Sequence, residues 1–223
     1  MFNRIAERYD FMNRLISFGL DKNWRRLLLQ ELGELTSTDA VLDVATGTAD
    51  VALAICAHAP GVSVTGLDPS EGMLEVGKKK VLQANQSDAV KLVLGDAREM
   101  PFTDSQFAAS CISFGIRNVP DRRKGLAEMA RVTRPGGKVV VLELSEPRKG
   151  FLAPFARFHI HHIVPNLGAL LSGASEYRYL QRSIEAFPPP EDFGQLMASC
   201  GLKDIKIVKL TLGTAHLYTG TVV

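Results

Sequence analysis

VLDVATGTAD, running from Val41 to Asp50, decides how the rest of the chain is read. Val41, Leu42 and Val44 form an apolar run of strand length, and the small residues Ala45, Gly47 and Ala49 then turn the chain into a helix beginning near Asp50. A strand, a tight turn and a helix N-terminus together aim backbone N–H groups and the helix's positive end at a ligand. The same turn also serves as a plain packing joint, so alone it is a weak signal. Asp68 strengthens it. This residue ends a second apolar run, Val62, Val64, Gly66 and Leu67, where a carboxylate can accept hydrogen bonds from both hydroxyls of a ribose.

The chain has 223 residues, 46% of them hydrophobic, which suits one α/β domain with a sizeable core. Its 26 basic and 24 acidic residues nearly balance, so no nucleic-acid partner is implied. Cys56, Cys111 and Cys200 are far apart and odd in number, as expected of free thiols in a reducing compartment. Met1 to Asp10 carries charges of both signs and no secretory apolar core, and no stretch reaches the length of a membrane span.

Residues 1–34 read as two helices, the first with an apolar stripe of Ile5, Tyr9, Met12 and Ile16, the second starting at Asp21 as N-cap. Tyr9, Asn13 and Trp24 make a lid over a ligand conceivable, although Trp24 reads better as a packing residue. Ser70 caps a helix whose basic run, Lys78 to Lys80, reads as a solvated face. Further strands are expected at Val90 to Leu94, ending in Gly95-Asp96-Ala97, and at Phe107 to Ser113, ending in Phe114-Gly115. Four strands thus end in polar or small residues, and in a parallel sheet those ends line one edge. After a helix from Asp121 to Thr133 and the turn Arg134 to Gly137, Lys138 to Leu144 reads as a fully buried strand. Residues 151–173 are apolar and aromatic. They include His159, His161 and His162, without the nearby Cys or carboxylate that a metal site needs, so no metal is expected. A helix from Glu191 to Ser199 and two strands in an antiparallel pair close the chain.

The pattern G-x-G-x-x-G fails after its first glycine, because Ala49 and Ala52 stand where the others belong, and Asp50 would face pyrophosphate unaided. S-adenosylmethionine fits better. It has no phosphate, carries two cationic groups that acidic side chains tolerate, and offers a ribose diol for Asp68 and an adenine amino group for Asp96, with Ala97 at the ring edge. Asp43 or the backbone near Gly47 would receive its methionine end.

The whole chain also resembles the ubiquinone/menaquinone biosynthesis C-methyltransferases. The resemblance lies in YDFMN (Tyr9 to Asn13) with Ser17 and Trp24, in RVTRPGG followed by Glu143 and Ser145, and in SFGIRNV (Ser113 to Val119). It implies a class I methyltransferase fold: a Rossmann-like seven-stranded sheet with its last strand antiparallel, an N-terminal helical lid and a helical insertion near 148–187. The single domain 1–223 then divides into the lid (1–38), the cofactor-binding core (39–147), the apolar insertion (148–187) and the C-terminal helix and strand pair (188–223). By the same resemblance Thr48, Asp68, Asp96, Ala97 and Ser113 contact the cofactor, with Gly47 and Met73 completing the set. Arg117 and Asn118 lie beside a quinol oxygen, with Tyr9 nearby. The chain departs from the family at Asp21, Thr133 and Arg134, and at Ala49, where a methyl group replaces a glycine hydrogen next to the expected ligand.

The reaction so implied moves a methyl group from S-adenosylmethionine to a ring carbon of a polyprenyl quinol, foremost demethylmenaquinol. The isoprenoid tail would rest on 151–173, giving a cytoplasmic protein with peripheral contact at the inner membrane face and room for a homodimer. The alternatives are a benzoquinol of ubiquinone biosynthesis, another small hydrophobic acceptor, or a non-catalytic cofactor-binding assembly protein.

Overall fold

The structure, a computed structural model, describes residues 19–146 and 174–223, with no side-chain detail for 174–178. Tyr9, Asn13, Ser17 and the segment 151–173 with its histidines lie outside the described residues.

Seven strands form one sheet: β1 (Ala40–Val44), β2 (Ser63–Asp68), β3 (Val90–Leu94), β4 (Phe107–Ser113), β5 (Thr133–Leu144), β6 (Leu202–Leu210) and β7 (Ala215–Val222), in the order β3-β2-β1-β4-β5-β7-β6. β7 alone runs antiparallel, between β5 and β6. In β5, Val139 and Val141 face one core while Val140 and Leu142 face the other, which is why this run has no polar side in the sequence. Helices α1 (Asp21–Glu31), α2 (Asp50–His58) and α3 (Glu71–Gln83) contribute to the first core, and α4 (Arg122–Val132) and α6 (Pro190–Ala198) to the second. Helix α5 (Ala174–Glu185) precedes α6 and contacts the short 3₁₀ turn Ile116–Asn118.

Side-chain caps fix two of these helices. Ser70 Oγ accepts from Met73 N at 3.3 Å at the head of α3, and Asp121 accepts from Lys124 N at 3.0 Å at the head of α4. Asp21 is not a cap. Leu20 takes that position and Asp21 begins the first turn, where a negative charge still complements the helix dipole. The strand expected from Lys138 begins earlier, at Thr133, because Thr133 pairs with Phe107 before the register shifts.

Trp24 is buried in the first core. Its Nε1 donates to Thr211 Oγ1 at 2.9 Å, and its ring meets Phe114 edge-on with centroids 6.2 Å apart. Lys80 corrects the expectation of a solvated basic run. Whereas Lys78 is exposed and pairs with Glu75, Lys80 Nζ reaches under the β1 turn to Asp50 Oδ1 at 2.6 Å and Thr48 Oγ1 at 2.9 Å. Its position one helical turn past the close-packed Gly77 brings it back toward α2.

Candidate active site

The strand order reverses between β1 and β4, and the crevice at their carboxyl ends is where such sheets bind ligands. The loops leaving these strands are strained and tightly joined. Ala45, Ala49 and Phe114 are non-glycine residues held at φ of 53°, 66° and 56°. A Cβ on Gly115 would sit 2.6 Å from the Ala45 methyl carbon, so only glycine allows the two loops to touch.

Below this junction opens a cavity of about 280 Å³. Gly47, Asp68, Met73, Asp96, Ala97 and Asn118, all expected at the site from sequence, line it together. Apolar walls come from Leu67, Pro69, Phe114 and Val119. A smaller polar cleft of about 20 Å³ shares Ala45, Gly47 and Phe114 with the cavity and adds Arg25, Asp43, Thr48 and Ser113.

Asp68 ties the two strand ends together. Its Oδ2 accepts from Gly47 N at 2.9 Å and its Oδ1 from Ser70 N at 2.8 Å, so the carboxylate is fixed in orientation while further lone pairs remain. Burial raises its pKa, opposed by these two N–H donors. Asp96 is more open and is gripped by Arg98, whose Nε lies 3.1 Å from both oxygens and whose second nitrogen lies 2.6 Å from Oδ2. This grip holds its carboxyl below the usual range. Arg98 also lines the cavity, so the Asp96 carboxylate at this wall is already engaged. The opposite charges two residues apart in GDAR were the available signal for this pair.

Asp43 is fully buried. Thr46 Oγ1 donates to its Oδ2 at 2.6 Å, and desolvation pushes its pKa up to about 7. The folded protein therefore holds a proton that the unfolded chain has released above about pH 4. Stability from this group is complete below pH 4 and falls as pH rises to about 7, by on the order of 4 kcal/mol. Asp43→Asn, which mimics the neutral form, should flatten that part of the profile. Guanidinium midpoints at pH 4.5 and 7.5 check it, and an unchanged pH slope in the variant would refute the assignment.

Thr48 lies under the loop, its hydroxyl accepting from Lys80, and reaches the cleft rather than the main cavity. Ser113 Oγ, also at the cleft, is buried with no hydrogen-bond partner among the described residues, as is Arg25 Nε. The methyl group of Ala49 does not narrow the site. Ala49 is fully buried and packs toward α3, where a Cβ on Gly77 would come within 3.3 Å of it.

Arg117, expected from sequence beside a quinol oxygen, is held in a buried ion pair. Its NH1 is 2.6 Å from Glu143 Oε1 and donates to Phe114 O at 2.6 Å, while its backbone N donates to Glu143 Oε2 at 3.1 Å. Its side chain is not among those lining the cavity. The pair spans 26 positions, and neither local pattern nor periodicity signals it. Next to it, Asn118 accepts at Oδ1 from Tyr179 OH at 3.1 Å. Among the described residues, no group of three or more His, Cys, Asp or Glu could hold a metal, and no helix is long and apolar enough to cross a membrane.

A sheet in this order with one antiparallel strand, a small-residue turn at the switch point and an acidic residue ending β2 define a class I methyltransferase architecture. Solved structures of this kind are similar in fold. One is a SAM-dependent methyltransferase from Aquifex aeolicus, at a TM-score of 0.65 and 16% identity over 89% of each chain. Another is geranyl diphosphate C-methyltransferase from Streptomyces coelicolor A3(2), at 0.70 and 17% identity over 92% of this chain and 81% of that one. Residues 1–222 match the ubiE/COQ5 methyltransferase family, to which the chain belongs. Among its relatives are the "Ubiquinone/menaquinone biosynthesis C-methyltransferase UbiE" of Geotalea daltonii, 44% identical over 99% of this chain and 94% of the relative, and the "Demethylmenaquinone methyltransferase" of Thermus thermophilus, 42% identical over 99% of both. The chain is an S-adenosylmethionine-dependent methyltransferase.

The residues present suit that cofactor. The unpartnered Ser113 Oγ and Arg25 Nε, with Asp43 beside them, give the small cleft the polar groups that an amino-acid end requires. The adjoining cavity offers apolar walls and the fixed carboxylate of Asp68 to a nucleoside.

Proposed function

We propose that this chain methylates a ring carbon of a polyprenyl quinol, with demethylmenaquinol as the acceptor. The observation that carries this reading is the 42% identity, over 99% of both chains, with the Thermus thermophilus protein named demethylmenaquinone methyltransferase. The site is compatible with it, because Asp68, Met73, Asp96 and Asn118 line one continuous cavity.

When bound, S-adenosylmethionine supplies an electrophilic methyl group on a positively charged sulfur. Asp68 holds the ribose side, Met73 and Ala97 flank the base, and Asp43, Ser113 and Arg25 face the amino-acid end. An aromatic ring carbon becomes a competent nucleophile once a hydroxyl on the ring gives its proton to water and pushes charge into the ring. Asn118 donates from its carboxamide to that oxygen and favours its anionic form. Arg117 acts one step back, its buried pairing with Glu143 fixing the 3₁₀ turn that presents Asn118. Tyr9 and the apolar segment 151–173, which would cover the ring and receive the tail at a bilayer surface, complete the proposal from sequence alone. The assembly-protein alternative rested on Ala49 and on the departures at Asp21, Thr133 and Arg134, and the first of these weighs less because the Ala49 methyl group faces Gly77.

Methyl transfer from labelled S-adenosylmethionine to chemically reduced demethylmenaquinol, run beside a demethylated benzoquinol, tests the reading. Label is expected in the naphthoquinol. Label confined to the benzoquinol would move the assignment to ubiquinone chemistry, and label in neither would overturn it.

A further inference from the structure

We propose that Tyr179, on α5, is a positioning residue for methyl transfer: its phenol fixes the Asn118 carboxamide so that the donor edge of the amide faces the acceptor oxygen. This rests on the reading of Asn118 as the group that binds that oxygen.

A primary amide presents two edges of nearly equal shape and opposite polarity. Facing an oxyanion, the NH₂ edge attracts and the carbonyl edge repels, so a half-turn of the amide reverses the sign of its contribution. The backbone beneath Asn118 is well fixed. Asn118 N donates to Gly115 O at 3.0 Å, Arg117 N donates to Glu143, and Arg122 donates to Arg117 O at 3.3 Å. None of these bonds determines which edge of the side chain faces the cavity. Tyr179 OH biases that choice: a phenol hydroxyl can bond either edge but donates more strongly than it accepts, and here it donates to Asn118 Oδ1 at 3.1 Å, the hydrogen bond of this carboxamide among the described residues. With the oxygen so engaged, the two N–H groups are left for the cavity that Asn118 lines. Tyr179 itself is 41% exposed and absent from that lining, so it contributes little to the core and acts on the site through Asn118. Helix α5 touches the 3₁₀ turn, which makes it the element that carries this control.

Tyr179→Phe in the full chain tests the proposal, since it removes one hydroxyl from a half-exposed ring. Losing one net hydrogen bond's worth of orientation predicts a fall in kcat of about tenfold. The KM for demethylmenaquinol and the Kd of S-adenosylmethionine measured by titration should stay within about threefold, because neither depends on a bond made in the transition state. A readout independent of turnover is the ¹⁵N-resolved side-chain amide of Asn118, whose nitrogen and proton shifts should move in the variant while those of the other side-chain amides stay in place. If Tyr179 acts through Asn118, Tyr179→Phe has no further effect in an Asn118→Ala background. Unchanged kcat in Tyr179→Phe, or a full additive loss on top of Asn118→Ala, overturns the proposal. Should Asn118→Ala itself retain normal turnover, the reading of Asn118 falls as well. If that variant is slow while Tyr179→Phe is not, only the role of Tyr179 is lost.

Discussion

Replacing Asp68 by alanine is expected to weaken S-adenosylmethionine binding by about 10²–10⁴-fold, since two hydrogen bonds from a ribose diol to a carboxylate contribute about 1.5–3 kcal/mol each. The size of the effect follows from how the carboxylate is held. Asp68 is 6% exposed, and one backbone N–H fixes each oxygen, from Gly47 on one side and Ser70 on the other. The group therefore meets a ligand without first losing rotational freedom. Alanine removes the ribose contacts and also releases the two N–H groups that hold the β1 turn against the end of β2. Asp68→Asn separates these effects, because its amide oxygen can still accept one of the two backbone bonds. Calorimetric titration of both variants is the measurement. A dissociation constant within threefold of the parent for Asp68→Ala would remove this residue from the cofactor site.

The largest effect on stability is expected at Glu143. Its side chain is fully buried and that of Arg117 is 5% exposed, so Glu143→Ala removes a buried carboxylate paired with an interior guanidinium. Breaking one side of such a pair costs about 3–5 kcal/mol. For a chain of this size that lowers the melting temperature by roughly 6–20 °C. Glu143 also accepts from the backbone N of Arg117 and Leu144, so the loss loosens the turn beneath Asn118 as well as its own strand. The double variant Arg117→Met, Glu143→Met should regain most of the stability, because apolar replacement of both partners is near neutral. It should not regain turnover. A melting temperature for Glu143→Ala within 2 °C of the parent would show that the pair contributes little.

Sequence and structure agree where the chemistry is local. The run Val41 to Asp50 specifies its strand, turn and helix by an unbroken buried stretch and the small size of the residues after it, and Ser70 and Asp121 announce their helices because a cap acts within three residues. The placement of Asp68, Asp96 and Ala97 on one edge follows from parallel strands ending together. What the sequence hides depends on contacts across the fold. Lys80 looks like part of a solvated triplet until Asp50 at the head of α2 is placed within its reach, and Arg117 looks available until Glu143 is placed on the neighbouring strand. The direction of the Ala49 methyl group is likewise a property of backbone sign: at φ 66° its Cβ leaves the loop on the side of α3. Phe114 belongs to the same group, since no sequence rule marks a bulky residue for the left-handed region.

The contact between Trp24 and Phe114 has a spectroscopic consequence. The chain contains a single tryptophan, so its indole emission comes from one known place. That indole is shielded from solvent, anchored at its nitrogen by Thr211, and set edge-on against the aromatic ring that walls both the cavity and the polar cleft. Any ligand that moves Phe114 perturbs the fluorophore through direct contact. The enzyme thus carries an intrinsic optical reporter one ring away from its own site, and a change in its emission on titration is the label-free signal expected of occupancy.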